Sequence, residues 1–211
     1  MSHYFKKNHG FTIIELLISI TIVTVILTVV VFNQSIYTET AALTNLADEI
    51  GLTISQAQIY GVGVKELALG SSDFSASYGL TFSLLDSGSN SAYIYFADRN
   101  GNNYYDGDWS CPVGGVSECI SKVNITRGNY IDALCWVKIS GPDQCNNPKR
   151  IDISFTRPSI EAQFVLFNSA GQVFVPDDMK GVRIILKSPE GASRSIVVYK
   201  TGQVSISSSL P

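Results

Sequence analysis

The strongest pattern lies at the start of the chain: from Phe11 to Phe32, 22 consecutive residues include a single charge, Glu15. A helix rises 1.5 Å per residue, so such a run crosses a hydrocarbon core of ~30 Å and predicts a membrane span over 11–32. A cleavable secretory signal would stop sooner, at a small-residue site, whereas here the apolar run continues as helix. From Asn33 to Tyr60 there is no proline, and Leu43, Leu46, Ala47, Ile50, Ile54 and Ala57 recur at spacings of three and four. These residues form one apolar face of an amphipathic helix. Thr44, Asp48, Glu49, Thr53, Ser55 and Gln56 stand opposite, and Gly61 and Gly63 are expected to end the helix. The prediction is one continuous helix of about fifty residues, half in lipid and half laid on a folded domain.

Beyond Gly63 the period changes to two, in short runs separated by Gly, Asn, Asp and Pro. Strands are predicted at 78–84, 92–97, 120–126, 151–155, 162–167, 172–175, 182–186, 195–199 and 203–207. Lys200-Thr201-Gly202 joins the last two as a tight hairpin. No further helical run exists to serve as a crossover, so an antiparallel rather than a parallel β-sheet domain, covered on one face by the long helix, is expected, an α+β fold. The organisation is then a leader over 1–10, a transmembrane half-helix over 11–32, an amphipathic half over 33–61 and a β-rich globular domain over 62–211.

Composition adds limits. With 45% hydrophobic and 16% charged residues the chain is globular rather than disordered. Lys6 and Lys7 precede the span, while 33–64 holds no Lys or Arg and contains Glu39, Asp48 and Glu49. The positive-inside rule places the N-terminus in the cytoplasm of a single-pass inner-membrane protein and exports the rest. A net charge of −3 gives no field for nucleic acid, and none is expected as a partner. Four cysteines, Cys111, Cys119, Cys135 and Cys145, suggest two disulfides in an exported domain. Three connectivities are open. Cys111 with Cys119 and Cys135 with Cys145 is preferred because each closes a short loop, around 112–115 and around Gly141-Pro142. Zinc is disfavoured by the spacing and by the confinement of histidine to His3 and His9. Trp109 and Trp136 are expected to pack against the disulfides.

The run from Lys6 to Ile20, KKNHGFTIIELLISI, resembles the type IV prepilin signature: a basic leader, Gly, Phe, and an apolar helix with Glu at its fifth position. The resemblance implies a type IV pilin-like fold in which a prepilin peptidase cuts between Gly10 and Phe11 and methylates the new amine of Phe11. Mature chains would then stack through their N-terminal helices with other pilin subunits, on a membrane assembly platform, into a filament. Weaker similarity to H-type minor pseudopilins and related minor pilins rests on Leu46-Ala47-Asp48-Glu49-Ile50, Gln56-Ala57-Gln58, Tyr60-Gly61, the Asp98 loop and Ile196 to Val204. It implies a subunit of a type IV pilus or a type II secretion pseudopilus, periplasmic or at the cell surface after assembly.

Two groups of residues carry the chemistry. A carboxylate one turn inside hydrocarbon is costly unless paired, so Glu15 calls for a cation, and the Phe11 amine of its own or a neighbouring chain is the nearest. Gly10 leaves the scissile bond accessible ahead of the helix. Cleavage leaves 13 basic and 18 acidic residues and removes both histidines, and with them any Ser-His-Asp or Cys-His nucleophile. No enzymatic site is announced. The second group is Asp98-Arg99-Asn100-Gly101-Asn102-Asn103-Tyr104-Tyr105-Asp106-Gly107-Asp108, a D-x-N-x-N run that resembles a Ca²⁺ loop. Asp98, Asn100, Asn102, Tyr104 through its carbonyl, Asp106 and Asp108 could supply oxygens. Asn103 stands where Gly is usual and Trp109 where a bidentate Glu is usual, and a polar hairpin is the competing reading. The alternative to a filament subunit is a membrane-tethered exported domain that binds a ligand and does not polymerise.

Overall fold

The computed structural model describes residues 10–63, 76–86, 88–112 and 117–208, apart from the side chains of 32–36. Lys6 and Lys7 of the expected leader, and residues 113–115 between the first two cysteines, lie outside them. By internal packing the chain divides into Met1–Thr38 and Glu39–Pro211. Helix α1, Ile13–Val62, is a single 50-residue element, as the hydrophobic pattern predicts. Within the first unit, Ile13–Val31 is long and apolar enough to cross a membrane and buries none of its surface in the chain. Its hydroxyls are satisfied within the helix. Ser19, Thr21, Thr24 and Thr28 each donate to the carbonyl four residues earlier, at 2.8 Å. In lipid no water would do so.

In the second unit Leu43, Leu46, Ala47, Ile50, Ile54 and Ala57 are all buried, the face read from their spacing. They share one core with side chains of two sheets. The six-stranded sheet has the order β3-β2-β1-β5-β6-β7, from β1 (Ser77–Ser83), β2 (Ala92–Asp98), β3 (Cys119–Asn124), β5 (Arg150–Phe155), β6 (Ala162–Phe167) and β7 (Val173–Phe174). The four-stranded sheet has the order β10-β9-β8-β4, from β4 (Tyr130–Lys138), β8 (Met179–Lys187), β9 (Ser193–Tyr199) and β10 (Val204–Ser207). All pairings between strands are antiparallel.

The α+β fold with antiparallel strands is as expected, and its division into two sheets turns on β4. This nine-residue strand is absent from the sequence reading because its alternation is broken: the register with β8 slips between Ile131 and Ala133. Without β4 the strands β8, β9 and β10 read as the continuation of the first sheet. One correction concerns Gly61. It lies inside α1, and a Cβ there would stand 2.2 Å from the Phe155 carbonyl oxygen, so it serves close helix–strand approach rather than termination.

Strands β1 and β2 are buried at every position. Tyr78, Leu80, Phe82, Tyr93 and Tyr95 face the main core. On the other face Ile94 and Phe96 form a second small core with Tyr105, which belongs to the segment following β2. That segment folds back as a cover over its own sheet. Cys111 pairs with Cys119 and Cys135 with Cys145, the preferred connectivity. Trp109, Cys111 and Cys119 all pack against the second small core, and the Trp136 ring meets Phe174 edge-on at 5.7 Å and joins the main core.

Candidate functional site

Two places hold the residues singled out from sequence. At the N-terminus Gly10 is exposed, with nothing among the described residues within 4 Å of where a Cβ would be, and Phe11 is 79% exposed. Thr12 caps the helix: its Oγ1 accepts from the Glu15 backbone N–H at 3.3 Å, and Glu15 Oε2 accepts from the Thr12 N–H at 3.2 Å and from the Thr12 hydroxyl at 3.1 Å. This is a reciprocal capping box, and it satisfies donors that the first turn leaves unpaired. Reading Glu15 only as a charge seeking a cation misses it. The signal, Thr followed three residues later by Glu ahead of an apolar run, stands in the sequence. The cap and the helix dipole both favour a carboxylate here, and neither consumes its second oxygen.

The second place is the segment after β2. Asp98 is buried, and its Oδ1 accepts from the N–H groups of Gly101 (2.7 Å) and Asn102 (3.2 Å), its Oδ2 from Asn103 (2.8 Å). Asn100 and Asn102 both donate through their amides to Asp106 Oδ2, at 2.7 and 3.2 Å. Their own oxygens accept from the N–H groups of Asn102 and Tyr104. Asn103 takes φ 67°, the conformation for which Gly is usual. The fold thus gathers Asp98, Asn100, Asn102 and Asp106. Asp108 faces elsewhere, accepting from Ser110 N–H at 2.8 Å, and the Tyr104 ring packs edge-on against Phe167. Among the described residues no group of three or more His, Cys, Asp or Glu is placed to hold a metal ion.

Three residues that sequence reasoning left out fix this segment. Glu118 is buried and accepts from the N–H groups of Arg99 (3.1 Å) and Asp106 (3.2 Å). It precedes Cys119, so the disulfide to Cys111 returns the chain to the loop and brings Glu118 with it. Burial pushes the Glu118 carboxyl above its ordinary range. The two N–H donors oppose this, and the neighbouring Asp106 carboxylate adds to it. Asp152 on β5, fully buried, accepts from Thr81 Oγ1 at 2.5 Å, from Tyr105 N–H at 2.8 Å, and from Arg150 Nε and Nη2 at 2.9 and 2.5 Å. Arg150 also donates to the Tyr105 carbonyl and stacks over the Phe167 ring. Burial raises the Asp152 carboxyl against the pull of Arg150. The available signal was a charge at the centre of the alternating strand Ile151-Asp152-Ile153. What this arrangement does is hold a loop on a sheet by donors aimed at carboxylates.

Residues 5–31 match the family model described as the prokaryotic N-terminal methylation motif. The match covers Lys6 and Lys7, Gly10, Phe11, Glu15 and the apolar part of α1. No curated protein and no solved structure matches the chain. The matched motif is a mark of structural subunits and not of an enzyme.

Proposed function

We propose, for a chain whose N-terminus is of the type IV prepilin kind, that it is a minor pilin or minor pseudopilin: a structural subunit of a type IV pilus or a type II secretion pseudopilus. The observation that carries this is the methylation motif over 5–31 lying on a helix whose apolar part buries nothing in its own chain and whose continuation forms one wall of a folded core. In this reading prepilin peptidase cuts between Gly10 and Phe11 and methylates Phe11. The subunit waits in the inner membrane with its N-terminus inside, and then joins other subunits on the assembly platform through its N-terminal helix. Glu15 sets the register. One of its oxygens caps its own helix, and the other is left to meet the amine of a neighbouring Phe11.

The reading is tested by mass spectrometry of the protein extracted from cells that contain a prepilin peptidase. The expected chain begins at N-methylated Phe11. A chain retaining Met1 or Ser2 in such cells overturns it and favours the tethered binding domain.

A further inference from the structure

Strand β6 leaves part of its outer edge open. Ala162 N–H donates across that edge to the Lys200 carbonyl at 2.9 Å, and Asn168, just past the strand, donates to the Gln172 carbonyl at 3.0 Å on the same side. Backbone hydrogen bonds alternate in direction along a strand, so the N–H and C=O of Phe164 point to that side as well. Strand β7 covers the edge only at Leu166 and Phe167, opposite Phe174 and Val173. Continued in the same register, the position opposite Phe164 is Pro176, which has no N–H to give, and the pairing stops before it. The gap that remains is a pocket of about 280 Å³ walled by Ala162, Phe164, Val175, Met179 and Lys200. It adjoins a groove of about 460 Å³ with which it shares Met179 and Lys200.

Charge around the gap is unbalanced. Lys200 N–H donates to the Lys180 carbonyl at 3.0 Å and extends the pairing of Gly181 with Tyr199, so two lysines stand directly opposite each other on β8 and at the end of β9. Like charges so placed repel. Neither lysine has an ion pair among the described residues. Ile139 in the groove and Val175 in the pocket are 66% and 67% exposed.

We propose that this gap binds an extended segment of another protein, which adds to β6 at Phe164 as a short strand and sets a carboxylate side chain between Lys180 and Lys200. A peptide backbone brings the N–H that Pro176 cannot offer to the Phe164 carbonyl, and an acceptor for the Phe164 N–H. Aliphatic side chains beside the acidic one cover Ile139 and Val175. Glu161 lines the pocket together with Lys200 and repels a polyphosphate or nucleic-acid chain, so a segment with one carboxylate is the better fit. The site belongs to the folded domain, goes beyond the filament reading and does not depend on it.

The test uses the full-length chain in phosphatidylcholine nanodiscs and a fluorescent, end-blocked heptapeptide with valine at alternate positions and a central glutamate. Anisotropy should show saturable binding, weakened about two- to five-fold by each of Lys180→Glu and Lys200→Glu, both at exposed positions. The double variant should prefer the same peptide with lysine at its centre. Proline next to the glutamate removes an N–H and should weaken binding about two- to ten-fold. Hydrogen exchange at the Phe164 amide should slow when the glutamate peptide is added, whereas Gln163 and Val165, whose amides face β5, should exchange as before. Absence of saturable binding, equal binding of the glutamate and lysine peptides to the unaltered chain, or an unchanged Phe164 amide overturns the proposal. Dimers that form as the chain is concentrated and exclude the peptide would give the gap to a second copy and overturn it too.

Discussion

At the scale of single residues, Glu15 has one role seen in the structure, an oxygen that caps the helix, and one proposed for it, a charge that meets a cation, and the two are separable. Glu15→Gln keeps an acceptor for the Thr12 N–H and hydroxyl but removes the charge. It should insert in the membrane and enter filaments poorly, as should Glu15→Val, with pilus or pseudopilus content read by immunoblot of sheared fractions. Normal incorporation of the Gln variant would show that the cap alone suffices. Asp152→Ala leaves Arg150 and the Tyr105 N–H without their acceptor in a buried place and should cost about 3 kcal/mol in urea unfolding of a fragment starting at Glu39. Glu118 and Asp152 are both carboxyls raised in the folded chain, so above the ordinary carboxylate range the folded state holds more protons than the unfolded one. Stability then falls as pH rises from about 4.5 through the raised values. Melting temperature measured from pH 5 to 8 should decline, and Asp106→Asn, which removes the charge facing Glu118, should flatten that slope. These two carboxylates were not legible beforehand. Their neighbours are set by a disulfide and by strand pairing, not by spacing along the chain, whereas Gly10, Phe11 and Glu15 are adjacent in sequence and could be read directly.

At the scale of elements, α1 and nine of the ten strands could be read because α1 keeps one apolar stripe and each of these strands is a short run rich in apolar residues bounded by Gly, Asn, Asp or Pro. The reading failed at β4, where a slipped register puts Asp132 and Trp136 out of phase. It also failed at Gly61, whose role depends on a strand almost a hundred residues later. Gly61→Ala should force α1 away from β5 and cost about 1–3 kcal/mol, read from thermal unfolding. The Asp98 segment is an element in its own right, held by N–H and amide donors on every carboxylate described above. With its carboxylates supplied by these donors, the fragment from Glu39 is expected to melt at the same temperature in millimolar calcium and in chelator. A rise of several degrees with calcium would show that Asp98, Asn100, Asn102 and Asp106 turn their oxygens inward to hold one.

At the scale of the whole molecule, the order of the strands sets the order of events as the chain is made. The long helix emerges first, but the side chains that cover Leu43, Ile50 and Ile54 come from strands as late as β9. β1 needs β5, through pairs such as Ser83 with Arg150, and β4 waits for β8, through pairs such as Tyr130 with Lys187. Contacts this distant close slowly. A chain stopped after Lys187 lacks β9 and β10 and should remain protease-sensitive throughout, not as a stable sub-domain; a resistant core in limited proteolysis would contradict this. If the domain is exported as proposed, the chain would cross the membrane with almost its whole length still unfolded and its second apolar stripe bare. The transport machinery would then handle a thread, with the folded body forming once the last strands have crossed.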